Sequence, residues 1–334
     1  MHAFMLNRYG GPEHTALQDA PTPVPGPGEL LVEVAGAGLN PLDYKVRGGI
    51  ARLLARPPRP FVLGSECSGT VIALGVDAPG FAVGDRVIAL TDIGKGTLAT
   101  HAVVRADHAT HAPTSIPLVD AGALPLAGLT ALQVLRDRIG LEPGMELLIL
   151  GGAGGVGTLA IPMAKLLGAR VTVTASPRGE ALVRALGADC VIDYTATDLA
   201  ALPERFDAVF DAVGGKTAVA ALGLLRTGGI LVTILGPPDP ASAREDLGQG
   251  NVTAALFWLA SFAMRRRAAK AGARYRHLFM RAESAGLAQL VGWVDAGDLP
   301  LTVDRRFPLA EAGAAMAYLE AGHAKGKVVV TVGG

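Results

Sequence analysis

The stretch LLILGGAGGVG, residues 147–157, decides the fold. Four consecutive large aliphatic residues read as a strand buried on both faces, and the glycines that follow cannot continue it. Gly152, Gly154 and Gly157 have the spacing G-x-G-x-x-G where the strand gives way to a helix over residues 156–167. Glycine lets a backbone approach a pyrophosphate closely, and a helix N-terminus offers N–H groups with a partial positive charge. Gly152, Ala153, Gly154, Gly155, Val156 and Gly157 are therefore the expected phosphate cradle of a dinucleotide. The alternative is a glycine-rich turn that only packs helix on strand.

Working outward, the next strand covers residues 171–174 and runs on through Ala175 to Ser176, Pro177 and Arg178. A site for NAD would place a carboxylate here to accept from the ribose 2′-hydroxyl, and none is present. Ser176 can donate a hydrogen bond and Arg178 can neutralise a 2′-phosphate, which predicts NADPH rather than NADH. Further buried strands are expected at 207–211, 230–235 and 275–280, with helices between them. That alternation predicts an α/β fold with a Rossmann-type, doubly wound parallel sheet of about six strands. A helix over 121–139 precedes it. Before residue 120 the chain reads as short β segments split by Gly/Pro turns, a β-rich domain. After Arg281 come a helix, a polar strand, the helix LAEAGAAMAYLEAG and the strand KVVVTV, which are expected to complete that first domain. The expected domains are residues 1–122 with 282–334, and 123–281.

A chain of 334 residues is about twice a typical domain of ~150 residues, in keeping with two cores. Thirty basic residues balance thirty acidic ones, so no long-range field recruits nucleic acid. Only two cysteines occur, Cys67 and Cys190, which excludes a disulfide framework and a cysteine zinc knuckle and predicts a reducing, cytoplasmic setting. The opening MHAFMLNRYGG reads as a first strand rather than a leader. The apolar run VTAALFWLASFAM, 252–264, is short of the ~20 residues a membrane span needs and is expected as a buried helix. Arg265, Arg266 and Arg267 could make it an interfacial anchor, but basic residues also suit a helix C-terminus, and membrane contact is not expected.

Several segments together resemble the quinone oxidoreductase branch of the medium-chain dehydrogenase/reductase superfamily, which includes zeta-crystallin-like proteins and enone reductases. They are Gly38-Leu-Asn40-Pro41-Leu-Asp43, Leu63-Gly-Ser-Glu66-Cys-Ser-Gly69, Ala123-Leu-Pro-Leu-Ala-Gly-Leu-Thr130-Ala, the glycine loop, Leu186-Gly-Ala-Asp-Cys-Val-Ile-Asp193-Tyr194 and Gly326-Lys327. The resemblance implies a GroES-like catalytic domain completed by the C-terminal residues, an active site in the interdomain cleft, and commonly a homodimer. The strand at 230–235 and the run at 252–264 offer apolar material for that contact. By the same likeness Asn40 and Thr130 lie near the nicotinamide. Ser176, Arg178 and Tyr194 surround the adenosine 2′-phosphate, and Thr174 is a further cofactor-binding residue. Gly214, Gly236, Phe279 and Met280 line the cofactor channel, and Lys327 lies near the cofactor phosphates. On their own, Asn40 reads as a turn residue before Pro41, Asp43 as a helix cap and Lys327 as an edge charge.

Zinc relatives in the superfamily carry a Cys near the position of Asn40 and a Gly-His-Glu motif where this chain has Gly64-Ser65-Glu66. The thiolate and imidazole ligands are thus missing, and His101, His108 and His111 have no cysteine near them to form a substitute. Without a Lewis acid the expected reaction is hydride delivery from NADPH to an acceptor already electron-poor, a quinone or an α,β-unsaturated carbonyl. Asn40, a backbone N–H or water would meet the charge developing on oxygen. Tyr44, Lys45, Arg47 and His101 are the polar side chains considered as proton donors or substrate contacts, with Tyr44 and His101 foremost. Gly49, Ile50 and Ala51 stand where enoyl-thioester reductases carry a tyrosine, which argues against acyl-thioesters. Competing readings are an NADPH-binding protein with little turnover that serves as a structural or interaction partner, and a zinc-independent alcohol or carbonyl dehydrogenase. A zinc alcohol dehydrogenase with unusual ligands would contain metal and lose activity to a chelator.

Overall fold

Residues 1–50, 57–203 and 205–333 are described by a computed structural model; Ala51 lies outside them. The chain begins with β1 (His2–Leu6), β2 (Thr15–Asp19) and β3 (Glu29–Leu39), the last followed by helix α1 (Pro41–Gly48). Then come β4 (Phe61–Val62), β5 (Glu66–Leu74), β6 (Arg86–Leu90), β7 (His101–Arg105), β8 (Ala109–His111) and α2 (Leu118–Ala121). Apolar side chains of β3, β5, β6 and β7, among them Leu30, Val32, Val71, Val87 and Val104, turn into one core. Period-two alternation places them there, and the Gly/Pro turns make the strands short.

Where a single helix over 121–139 is expected, the chain forms α2, then α3 (Pro125–Gln133), then a π-helical turn Val134–Ile139. Pro125 explains the break: proline has no N–H for a preceding turn and restrains the residue before it. The chain divides into two compact units within α3, residues 1–129 with 282–334 and residues 130–281.

The second unit holds β9 (Glu146–Leu150), α4 (Gly157–Leu166), β10 (Arg170–Ala175), α5 (Pro177–Ala185), β11 (Cys190–Asp193) and β12 (Phe206–Asp211). It continues with α6 (Gly215–Ala221), β13 (Leu225–Thr233), α7 (Pro240–Glu245), α8 (Asn251–Lys270) and β14 (Arg274–His277). The six strands are parallel, in the order β11-β10-β9-β12-β13-β14. Leu147, Leu148, Ile149 and Leu150 of β9 are fully buried near the middle of the sheet, at roughly 1.5–3 kcal/mol of stabilisation per side chain.

Three expectations are corrected. The final strand stops at His277, because the chain turns after pairing with β13, so Phe279 and Met280 lie beyond it. β13 is paired on both sides, to β12 and to β14, and ends at Thr233, so residues 230–233 are buried in the sheet and only half-buried Ile234 and exposed Leu235 of the 230–235 segment are left to offer a subunit contact. The run at 252–264 forms a helix, but not a buried one: α8 packs through Ala254, Ser261, Met264 and Ala268 and leaves Val252, Leu256, Trp258, Leu259 and Phe262 exposed. Its large side chains occur on every face, and the helix approaches its neighbours along the stripe of small residues Ala254, Ser261 and Ala268, with Met264 beside them.

The first unit resumes with α9 (Ser284–Asp295), followed by β15 (Val303–Pro308), α10 (Ala312–Glu320) and β16 (Lys327–Thr331). β16 pairs antiparallel with β3 and parallel with β15, making one sheet in the order β15-β16-β3-β5-β6-β8, to which β7 adds through β3. A smaller sheet has the order β2-β1-β4.

Candidate functional site

In the second unit, the candidate cofactor residues gather at the C-terminal edge of the parallel sheet, where a doubly wound fold binds its ligands. The glycine turn runs from the end of β9 into α4. A Cβ on Gly152 would lie 2.9 Å from the Val173 side chain, and one on Gly157 would lie 2.4 Å from the Gly151 carbonyl oxygen. Those two glycines let strand, turn and helix pack. A Cβ on Gly154 would have only the Gly151 carbonyl oxygen near it, at 3.4 Å, so this glycine leaves the side of the turn open to a ligand. Thr174 pins the turn, since its hydroxyl accepts from the Gly151 N–H at 3.0 Å and its carbonyl from the Gly152 N–H at 3.0 Å.

β10 and β11 are neighbours, with Ala175 opposite Asp193. That register brings Ser176 and Arg178, at the start of α5, to the same edge as Tyr194, which is exposed. Further along, buried Asp211 accepts from the N–H groups of Val213 and Gly214 at 3.0 and 2.8 Å and from the Thr233 hydroxyl at 2.7 Å. The Thr233 oxygen in turn accepts from the N–H of Gly236 at 3.0 Å. Asp211 and Thr233 were missed as shaping residues. The available signal was the carboxylate that closes FDAVFD directly after the apolar run Ala208-Val209-Phe210. Phe279 is held by its N–H to the Asp246 carboxylate at 3.1 Å and packs against His277, whose ring centroid is 4.4 Å away at an interplanar angle of 53°. Burial pushes His277 down to about 4, so its ring is neutral at neutral pH. Thr130 is buried in α3.

In the first unit Asn40 caps α1 and belongs to a buried polar network. Its amide donates to Glu66 Oε1 at 2.7 Å, and its Oδ1 accepts from Lys327 Nζ at 2.5 Å. Lys327 also donates to Glu66 Oε1 at 2.8 Å and to the Leu39 carbonyl at 3.2 Å, which uses all three ammonium protons inside this unit. The expectation of Lys327 as an edge charge is therefore corrected: it is 3% exposed and paired to a fully buried carboxylate. Glu66 Oε2 accepts from the Leu126 N–H at 2.6 Å. Gly38 makes room for Glu66, since a Cβ there would lie 2.3 Å from Oε1.

Asp43 accepts from the Asn40 N–H at 2.7 Å and from the Ser65 hydroxyl at 2.6 Å. Burial raises its carboxyl to about 6, with the Ser65 and Asn40 hydrogen bonds pulling the other way. In the sequence Glu66 stands out only as part of a motif, and its partnership with Lys327 joins residues 261 apart in the chain. Tyr44 is half-buried on α1 against the core, and burial raises its phenol, with Glu320 adding to the shift. Arg47 pairs with Glu320 at 2.7 Å. His101 lies opposite Glu33 on β3, with its Nδ1 2.9 Å from the Thr100 hydroxyl.

Two family descriptions match the chain, an alcohol dehydrogenase GroES-like domain over residues 26–114 and a zinc-binding dehydrogenase over residues 186–330. The chain is similar to the mitochondrial NAD(P)H oxidoreductase RTN4IP1 of Danio rerio, 35% identical over 357 residues that cover 99% of this chain and 91% of that protein. It is 32% identical over 343 residues to a chloroplastic NADPH-dependent alkenal/one oxidoreductase of Arabidopsis thaliana, covering 99% of this chain and 79% of that one. The solved quinone oxidoreductase from Coxiella burnetii superposes with a TM-score of 0.86 at 32% identity, over 100% of this chain and 99% of that one.

The zinc named in the second description does not fit these residues. Asn40 and Ser65 stand where the resemblance points to thiolate and imidazole ligands, and both are committed to neighbours. Glu66 has an ammonium 2.8 Å away, which a dication would have to displace. Among the described residues no group of three His, Cys, Asp or Glu is placed to hold a metal.

Proposed function

For a chain that belongs to the medium-chain dehydrogenase/reductase superfamily, in its branch of quinone oxidoreductases and enone reductases, we propose NADPH-dependent reduction of a quinone or an α,β-unsaturated carbonyl without zinc. The observation that carries this reading is the strand, glycine turn and helix of residues 146–166, beside a second strand that ends without a carboxylate. Ala153, Gly154, Gly155 and Val156 would hold the pyrophosphate at the N-terminus of α4. Ser176, Arg178 and Tyr194 would meet the 2′-phosphate. Gly214, Gly236, Phe279 and Met280 would border the rest of the cofactor, with Thr130 and Asn40 toward its nicotinamide. NADPH, when bound, supplies the hydride.

Asn40 is oriented by Glu66 and Lys327, and its second amide N–H would serve the acceptor oxygen as charge develops there. His101 and Tyr44 are the proposed proton sources. The low cysteine count supports a reducing, cytoplasmic setting, and the likeness to relatives that commonly pair supports a homodimer.

Anaerobic titration of the purified protein with NADPH and NADH, then stopped-flow oxidation by a panel of quinones and enones, tests the proposal. Tight NADPH binding with acceptor-dependent oxidation is expected, unaffected by chelators. Binding without turnover on any acceptor would favour the non-catalytic reading, and no binding would remove the cofactor assignment. Stoichiometric zinc in the active protein would overturn the zinc-free chemistry.

A further inference from the structure

Helix α8 has an outward face that the proposed reduction does not employ. Val252, Leu256 and Leu259, spaced by about one turn, are 78%, 61% and 65% exposed. Trp258 and Phe262 flank them, their rings 5.4 Å apart. The same direction continues through Ala263 to Arg266, Arg267 and Lys270, all exposed. The helix contains no Asp or Glu. Arg265 folds back, with its guanidinium 5.2 Å from the Trp258 ring and hydrogen-bonded to the Trp258 carbonyl, so the outward cations are the other three. The nearest acids before the helix, Glu245 and Asp246, are engaged by Arg138, Arg276 and Arg281. The face therefore has an apolar half of about three turns and a cationic end.

A contiguous apolar row of this kind marks an interaction surface, whereas single exposed aliphatic side chains do not. A second copy of the chain fits it poorly. A two-fold axis across the middle of the helix would lay the apolar half on the other copy's cations, and one along the helix would set Arg266, Arg267 and Lys270 against themselves, in both cases burying cations without a carboxylate on the helix to receive them. An axis across Leu256 would pair the two apolar halves but leave the three cations outside the contact, so a second copy uses only half of the face. An anionic bilayer accepts both halves, with aliphatic side chains in the acyl boundary, cations at the headgroup phosphates and an aromatic pair at the interface. Among the described residues no helix is long and apolar enough to cross a membrane, so α8 would lie at the surface.

We infer that α8 docks this protein on anionic lipid surfaces, with Arg266, Arg267 and Lys270 binding headgroups and Val252, Leu256 and Leu259 entering the acyl boundary. This reading does not depend on the reductase assignment.

Co-sedimentation of the full chain with vesicles of phosphatidylcholine, alone or mixed with phosphatidylglycerol, tests it. Binding to the anionic vesicles is expected, falling as salt is raised, with little binding to phosphatidylcholine alone. Arg266→Ala with Arg267→Ala should weaken it about thirtyfold, from a contribution of about fivefold per cation. Leu256→Ser with Leu259→Ser should weaken it at least about tenfold. Both pairs lie on the exposed face, so unfolding temperatures should match the parent protein. Absence of binding to anionic vesicles at low salt overturns the inference, as does binding indifferent to both variants. A dimer that dissociates on Leu256→Ser with Leu259→Ser, without vesicle binding, would assign the face to a second copy.

Discussion

Replacing Lys327 with Met should loosen the first unit, and the size of the effect follows from the network. Among the described residues the ammonium is the one cation donating to buried Glu66, and it also donates to Asn40 and to the Leu39 carbonyl. Its removal leaves Glu66 with the Asn40 amide and the Leu126 N–H, which hydrogen-bond the carboxylate without neutralising it. Breaking a buried ion pair from one side costs about 3–5 kcal/mol, and methionine fills most of the volume of the lysine stem, so little of that is cavity. Lys327→Met with Glu66→Gln removes both charges and keeps an oxygen acceptor for Leu126, so about half or more of the loss should return. Native-state hydrogen exchange at Val328, Val329 and Val330, which pair with β3, reads the change within this unit and avoids assuming that both units unfold together. A cost below about 1 kcal/mol for Lys327→Met, or a double variant as weak as the two single losses summed, would refute the account.

Three other outcomes are expected. Asp43 is raised by burial from 3.8 to about 6, so the folded state holds its proton more tightly than the unfolded state. Its contribution to stability is full below about pH 4 and is lost as pH rises through about 6, a swing of roughly 3 kcal/mol. Unfolding free energies of the parent and Asp43→Asn across that window should diverge accordingly, and parallel curves would contradict the assignment. Gly157→Ala should destabilise the second unit by ~2 kcal/mol or more, because its Cβ meets backbone at 2.4 Å, whereas Gly154→Ala should leave the unfolding temperature nearly unchanged and weaken NADPH binding. Calorimetry with and without NADPH separates the two, and equal thermal losses would be the adverse result. Arg178→Ala should weaken NADPH by about ten- to a hundredfold and NADH by less than about twofold, as measured by fluorescence titration. Equal losses for both nucleotides would detach Arg178 from the 2′-phosphate.

The strand, glycine turn and helix at residues 146–166 were legible because their signals are local. An aliphatic run followed by spaced glycines specifies strand, turn and helix within about twenty residues, and the acid-free end of the next strand sits one βαβ step away. Alternation gave the parallel sheet for the same reason, while exact ends moved: β14 stops at His277 because pairing with β13 stops there. Tertiary structure alone decided the rest. Asn40, Glu66 and Lys327 meet across separations of 26, 261 and 287 residues, and no periodicity encodes a hydrogen bond over that distance. Nor could the facing of α8 be read from residues 252–264, since large apolar side chains occur all around that helix and only packing through Ala254, Ser261, Met264 and Ala268 chose which of them met water.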